Sequence, residues 1–119
     1  MCTTSITIEE TGVTIRSLSG TVWLTQHQLA DLFDVFVSSI GSNVRAILKS
    51  EVLREDEVCR YQKTENGGLM TLYNMEMITA LAFRLTSRPA EWFRQWIVRK
   101  TTAHPLVIWK IPGMDTMLN

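Results

Sequence analysis

Two apolar patterns of helical period stand almost back to back in the segment TQHQLADLFDVFVSSIGSNVRAIL, residues 25–48. The first predicts a helix from about Gln26 to Phe33, and Thr25 is suited to cap its first turn. The second predicts a helix that begins near residue 37 or 38 and ends at about Lys49. Because about one turn of chain separates them, the two helices are expected to pack directly against each other.

The spacing of apolar residues across this break is that of a helix-turn-helix, which we place at about residues 22–50. Ala30 is small where the two helices would cross, and Val35 and Ile40 are placed to fill the angle between them. Asp34 stands at the turn, where aspartate tolerates a left-handed φ better than most residues, at some energetic cost.

The second helix is expected to present a polar arc opposite its apolar one, although Gly41 in its middle costs about 1 kcal/mol relative to alanine. In a DNA-binding helix-turn-helix, the second helix enters the major groove and the first crosses the backbone. Serine and asparagine can contact base edges, whereas arginine and lysine at the helix end are placed for phosphates. The candidate DNA contacts of the two helices are Gln26, Gln28, Ser38, Ser39, Ser42, Asn43, Arg45 and Lys49.

A second hairpin is predicted over residues 57–74, with a turn at Asn66-Gly67, where both central residues can take positive φ. A hairpin placed soon after such a helix pair can act as a wing. Arg60 and Lys63, expected near its tip, are then candidate phosphate contacts, and the alternative is that both are solvated strand residues.

The other segments predict a single α+β domain over residues 1–119. Its expected order is an N-terminal β-hairpin broken at Thr11-Gly12, a short strand in TVWL, the helix-turn-helix, the wing-like hairpin and two C-terminal helices. These two helices occupy residues 75–102, and the first of them, MEMITALAFRLT after the capping Asn74, is expected to be the most buried element. Residues 103–119 are expected to form an edge strand or a loosely ordered tail.

Composition restricts the choice of function. Twelve acidic and twelve basic residues give zero net charge, which is unusual for a strong nonspecific nucleic-acid binder, yet residues 37–50 contain two bases and no acid. Cys2 and Cys59 do not form a disulfide framework, and the chain has no apolar run that would span a membrane, so we expect a cytoplasmic protein with free thiols. The isolated cysteines and histidines predict no metal site, no cofactor and no enzyme activity.

The C-terminal half leaves two alternatives open. Trp92 and Trp96, one helical turn apart, favour core packing or a dimer surface over base stacking. A group of arginines on the same helices is either a second basic strip or is paired with glutamates; its members are Arg84, Arg88 and Arg94, with Glu76 and Glu91 as the expected partners.

Three segments carry a resemblance to a known family: VWLTQHQLADLF, VRAILKSEVLREDEVCRYQKT and LYNMEMITALAFRLTSRPAEWFRQW. Over about residues 20–100 they resemble the RhuM family of bacterial proteins, and the chain differs from that family at Asp34, at FVSS and after Trp96. The resemblance implies a helix-turn-helix DNA-binding protein associated with virulence or mobile-element DNA. We therefore expect a transcriptional regulator that binds double-stranded DNA as a homodimer. The alternative is a protein-interaction module that does not bind DNA.

Overall fold

The computed structural model describes residues 5–17 and 21–102, so the predictions for Cys2 and for residues 103–119 lie outside the described residues. The fold is α+β, as predicted, with helices and two small antiparallel sheets. Along the chain the elements are β1 (Ser5–Glu9), β2 (Gly12–Arg16), β3 (Leu24–Thr25), α1 (Gln26–Phe33), α2 (Val37–Lys49), α3 (Glu55–Val58), β4 (Cys59–Lys63), β5 (Leu69–Tyr73), α4 (Met75–Ala82) and α5 (Arg88–Thr102).

The N-terminal hairpin forms as predicted. Strands β1 and β2 pair antiparallel, with Ile6 opposite Ile15 and Ile8 opposite Val13. Successive side chains of a strand point to opposite faces, so Ile6 and Ile8 share one face, and both pack with Val13 against the main core. The hairpin thereby covers an edge of the helical core.

Helix α1 begins and ends where local side chains dictate. Thr25 and Gln28 form a capping box. The backbone amide of Gln28 donates to Thr25 Oγ1 at 3.1 Å, and the backbone amide of Thr25 donates to Gln28 Oε1 at 2.8 Å. At the other end Asp34 is left-handed, with φ 55° and ψ 52°. The Val35 amide donates to the Ala30 carbonyl at 3.0 Å, and the Asp34 amide donates to the Asp31 carbonyl at 3.4 Å. This is a Schellman motif, which turns the chain toward α2.

Helix α2 packs its apolar arc on the rest of the core, with Ile40, Val44 and Ile47 buried. Gly41 is buried too, and a Cβ added there would lie 2.9 Å from Nε2 of Gln26 at the start of α1. Glycine weakens the helix locally, and the space that it leaves is occupied by the far end of the Gln26 side chain, which a Cβ would displace.

The second sheet has the strand order β3-β5-β4, and Tyr73 of β5 pairs with both Leu24 and Cys59. The predicted hairpin is confirmed, but its first strand begins after the short helix α3. The turn also differs from the prediction, because Gly67 has φ 85° whereas Asn66 keeps a negative φ. The Gly67 amide donates to the Thr64 carbonyl at 3.1 Å, which closes a three-residue loop with a glycine at its left-handed position.

The main core joins both C-terminal helices to the helix-turn-helix. Phe93 of α5 meets Phe33 of α1 edge-on, with ring centroids 5.9 Å apart. Met77, Ile78 and Leu81 of α4 are fully buried, as predicted for the most apolar helix. These contacts support the buried sides of α1 and α2.

Helix α4 ends earlier than its sequence predicts. Asn74 caps its start, with Oδ1 accepting from the Met77 amide at 3.2 Å, but the helix stops at Ala82 and the chain then turns. Phe83 is consequently 54% exposed, although we expected it in the core. Arg94 of α5 donates to the Ala82 and Leu85 carbonyls at 2.7 Å each, which satisfies groups freed by the helix end. In the part of the chain that the structure describes, no helix is long and apolar enough to cross a membrane.

Candidate nucleic-acid interface

A narrow row of exposed polar side chains follows the outer side of α2. Ser38, Ser42, Arg45 and Lys49 are spaced by four, three and four residues, which places them within about 60° of one another around the helix. All four are exposed, and we call them the polar stripe. The opposite side of the helix is buried in the core, so α2 is a supported helix with one continuous polar face toward solvent.

The polar stripe carries positive charge that nearby side chains do not neutralise. Helix α2 contains no acidic residue, and its cations are Arg45 and Lys49. Among residues 5–17 and 21–102, the ion pairs are those of Arg54 with Asp56 at 3.5 Å and with Glu57 at 3.9 Å. A zero net charge for the whole chain is therefore compatible with a locally cationic helix face.

Ser39 and Asn43 lie on one flank of the stripe and are both half-buried. Asn43 Nδ2 donates to the Ser39 carbonyl at 2.8 Å, and Asn43 Oδ1 accepts from Arg84 Nε at 3.0 Å. Both ends of the Asn43 amide are engaged within the protein. Asn43 is thus less available for a base edge than the exposed Ser38 and Ser42.

Gln26 and Gln28, the candidates on α1, have different surroundings. The Gln26 side chain lies beside Gly41, on the flank of α2 opposite to Asn43. Gln28 belongs to the capping box, where its side-chain oxygen accepts from the backbone amide of Thr25. Gln26 therefore borders the polar stripe, whereas Gln28 has a structural role at the start of α1.

The two cations of the predicted wing are not equivalent. Arg60 pairs across the hairpin with Leu72, near the base of the hairpin rather than at its tip, which corrects the predicted position. Its guanidinium lies 4.2 Å from the centroid of the Trp23 ring, a cation–π contact. Lys63 is exposed and pairs with Leu69 beside the turn, where a wing would extend furthest.

Two residues that the sequence did not assign to the interface adjoin it. Arg84 follows α4 in the chain but reaches Asn43 on the flank of α2, a contact between residues far apart in sequence. Phe36 is the N-cap residue of α2 and is 83% exposed, next to the end of the stripe that Ser38 occupies. An apolar residue inside an apolar run indicates burial, so no sequence signal pointed to the exposure of Phe36.

The expected pairing of the C-terminal arginines with glutamates is wrong for Arg84 and Arg94. Within the described residues Arg84 donates to the Asn43 side chain and Arg94 to backbone carbonyls, and neither forms an ion pair with Glu76 or Glu91. Trp96 is half-buried and packs on Phe93, with ring centroids 5.7 Å apart, which confirms a role in core packing.

Two titrating side chains of strand β4, Cys59 and Tyr61, have pKa values that are raised from their ordinary values. The Tyr61 hydroxyl donates to Glu55 Oε2, and this hydrogen bond raises the pKa of Tyr61 to about 12. Burial, followed by the charge of Glu55, raises the pKa of the Cys59 thiol, which disfavours the thiolate near neutral pH. No three His, Cys, Asp or Glu side chains in the described part of the chain are grouped so that they would hold a metal ion.

The fold and this surface define an α+β protein in which a helix-turn-helix exposes a cationic polar stripe and a hairpin lies nearby in sequence. Comparisons with protein-family models, with curated proteins and with solved structures found no match to the chain. The resemblance to the RhuM family stays a prediction from the quoted segments.

Proposed function

We propose that the protein binds double-stranded DNA through α2 and regulates transcription. The observation that carries the proposal is the polar stripe, a row of exposed donors on a helix that the core supports from behind. An α-helix with its side chains is about 10–12 Å wide, and the major groove of B-DNA is about 12 Å wide. Helix α2 is therefore of the right dimensions and chemistry to lie in that groove.

The side chains of the proposed interface divide by chemistry. Ser38 and Ser42 carry hydroxyls that can donate to or accept from base edges as well as contact phosphates. Arg45 and Lys49 supply charge for phosphates, with a contribution to affinity that falls as salt rises. Lys63 at the hairpin turn is a further phosphate contact if the hairpin acts as a wing.

We further propose that the protein acts in the cytoplasm as a two-fold dimer that controls genes of a mobile or virulence-associated element, as the resemblance to the RhuM family implies. Dimerisation would present two copies of α2 to half-sites about 34 Å apart. Phe83 and Val98 support the dimer, because both are more than half exposed and line one open groove. Glu91 and Arg99 line the same groove, so a second copy can place opposite charges against each other.

The proposal is tested by selecting from a random duplex library at two salt concentrations and measuring the affinity of the enriched sequence. Arg45→Glu combined with Lys49→Glu should abolish binding, because it replaces two attractive charges with repulsive ones on the face that meets the phosphates. The matched control is Arg16→Glu with Lys100→Glu, which changes the net charge equally at two exposed positions outside the proposed interfaces, one on the N-terminal hairpin and one near the end of α5.

Loss of binding in the first double variant with retention in the control supports the proposal. If no duplex sequence is enriched and the wild-type protein binds none, DNA binding is wrong. Equal losses in both double variants would indicate a dependence on net charge alone, which also contradicts a role for the polar stripe.

The alternative is a protein-interaction module, and the exposed ring of Phe36 favours it, since an aromatic anchor beside a polar rim is typical of protein interfaces. Such a module would bind a polypeptide in a salt-tolerant manner. Phe36→Ser would then abolish binding, whereas the Arg45 and Lys49 reversals would not. DNA binding predicts the reverse, with binding lost in the Arg45 and Lys49 reversals and retained in Phe36→Ser.

A further inference from the structure

Arg84 is fixed beside α2 by its backbone and by its side chain. After α4 ends, the Arg84 amide donates to the Leu81 carbonyl at 3.0 Å, which holds the backbone in a turn. The side chain extends to α2, where Nε donates to Asn43 Oδ1 at 3.0 Å. A long cationic side chain on an exposed residue normally samples many rotamers, and this hydrogen bond restricts it.

Asn43 is itself oriented by α2. Its Nδ2 donates to the Ser39 carbonyl one helical turn earlier, at 2.8 Å, so Oδ1 is the atom that remains directed toward Arg84. The side-chain amide thus links the backbone of α2 to the guanidinium. One N–H of the guanidinium is used in this contact, and the four N–H groups on Nη1 and Nη2 have no hydrogen-bond partner among the described residues.

Asn43 and Arg84 lie beside the polar stripe, where a cation could contact the DNA backbone. Asn43 lies about 100° around α2 from Ser42, on the flank away from α1, whereas Gly41 and the adjoining Gln26 lie on the other flank. A helix in the major groove has a sugar–phosphate backbone on each side of it. A guanidinium on the flank of such a helix faces a phosphate and not a base edge, and its free fork matches two phosphate oxygens.

We propose that Arg84 is a phosphate-binding residue of the DNA interface and that Asn43 is its positioning residue instead of a base contact. This inference rests on the proposed function, because it assigns roles within the same interface. It also changes the composition of that interface, since a residue that follows α4 joins those of α2.

The experiment measures the affinity for the selected duplex over a range of salt concentrations, with the full chain. Arg84→Gln should weaken binding about tenfold or more and reduce the slope of log affinity against log salt by about 0.9, the value for one phosphate contact. Lys100→Gln removes the same charge beside the N-terminal hairpin and should leave the slope unchanged. Arg84→Lys keeps the charge but lacks the two-pronged guanidinium. It should therefore have the salt slope of the wild type, with an affinity between those of the wild type and Arg84→Gln.

Asn43→Ala should weaken binding less than Arg84→Gln and should have no effect in the Arg84→Gln background, because a positioning residue acts through the residue it positions. The sequence enriched from the library should be the same for Asn43→Ala as for the wild type. Asn43→Asp serves as a second variant, in which the new carboxylate pairs with Arg84 and should lower the salt slope as Arg84→Gln does. Thermal unfolding of each variant checks that the fold is retained.

An unchanged salt slope in Arg84→Gln, while the wild type binds DNA, overturns this inference and leaves the proposed function standing. Additive losses from Asn43→Ala and Arg84→Gln, together with a changed enriched sequence, show that Asn43 contacts a base and also overturn it. Failure of the wild type to bind any duplex overturns the proposed function, and this inference with it.

Discussion

At the scale of single residues, hydrogen-bonding surroundings separate side chains that the sequence places in one group. Ser42 and Asn43 are neighbours on the same polar arc of α2, and both were candidate DNA contacts. Ser42 is exposed, whereas the Asn43 amide is engaged by Ser39 and Arg84. A helical wheel gives the direction of a side chain but not what packs beside it, so the sequence could not distinguish these two roles.

Tyr61 gives a prediction about pH at this scale. Its hydrogen bond to Glu55 raises the pKa of Tyr61 from an ordinary value near 10 to about 12. A raised pKa means that the neutral phenol stabilises the fold fully below pH 10, and that this contribution is lost as the pH rises from about 10 to about 12. Titration of phenolate absorbance in the wild type and in Tyr61→Phe isolates the Tyr61 signal by subtraction, which should have its midpoint near 12.

Glu55→Gln is the control for the cause of this shift. Without the carboxylate the Tyr61 signal should move to lower pH, because the charged acceptor that favours the neutral phenol is gone. A difference signal with its midpoint near 10 in the wild type would contradict the hydrogen bond.

At the scale of elements, the capping residues in the sequence correctly predicted where several helices begin or end. Thr25, Asp34 and Asn74 each marked a boundary that the structure confirms, because a cap or a left-handed turn is decided by a few neighbouring residues. The end of α4 was not predictable in this way. Residues 83–85 continue the apolar pattern without a breaker, and the carbonyls at that end are satisfied by Arg94 from another helix.

The candidate site was likewise predictable only where local sequence decides the structure. The exposed stripe follows from helical period alone, and Ser38, Ser42, Arg45 and Lys49 are exposed as predicted. The flanks of the stripe depend on which elements pack beside α2. Arg84 reaches it from the end of α4, and no local pattern in the sequence encodes that contact.

The turn between α1 and α2 gives the prediction for this scale. Asp34 has φ 55°, a conformation that glycine adopts without a steric penalty. Asp34→Gly should therefore stabilise the protein by up to about 1 kcal/mol and raise the melting temperature by a few degrees in thermal unfolding followed by circular dichroism. Asp31→Gly is the matched control, since Asp31 is exposed inside α1 and glycine there should cost about 1 kcal/mol. Destabilisation of equal size by both changes would show that the turn does not favour glycine.

At the scale of the whole molecule, distribution matters more than the sum of charges. The acids and bases cancel over the full chain, yet α2 carries cations and no acid, and Arg84 adds another cation at its flank. Charge that is concentrated on one face attracts a polyanion to that face even when the net charge of the protein is zero. Helix α5 is cationic too, with Arg88, Arg94, Arg99 and Lys100 against Glu91. Under the proposed function, selectivity for DNA therefore rests on direct contacts of α2 to bases and not on charge alone.

The proposed dimer is the prediction for this scale. Phe83 and Val98 are 54% and 53% exposed on the groove that Glu91 and Arg99 also line. Combining Phe83→Ser with Val98→Asp should convert a dimer into a monomer in sedimentation velocity, because it removes apolar contact and adds like charge across a two-fold axis. Leu69→Ser removes a more exposed apolar side chain, at 71%, from the hairpin and should leave the dimer intact. The monomer should bind a single half-site and lose affinity for the full selected duplex, because two linked contacts exceed either one alone. A monomeric wild type would contradict the proposed dimer, and a dimer that survives the double change would place its interface elsewhere.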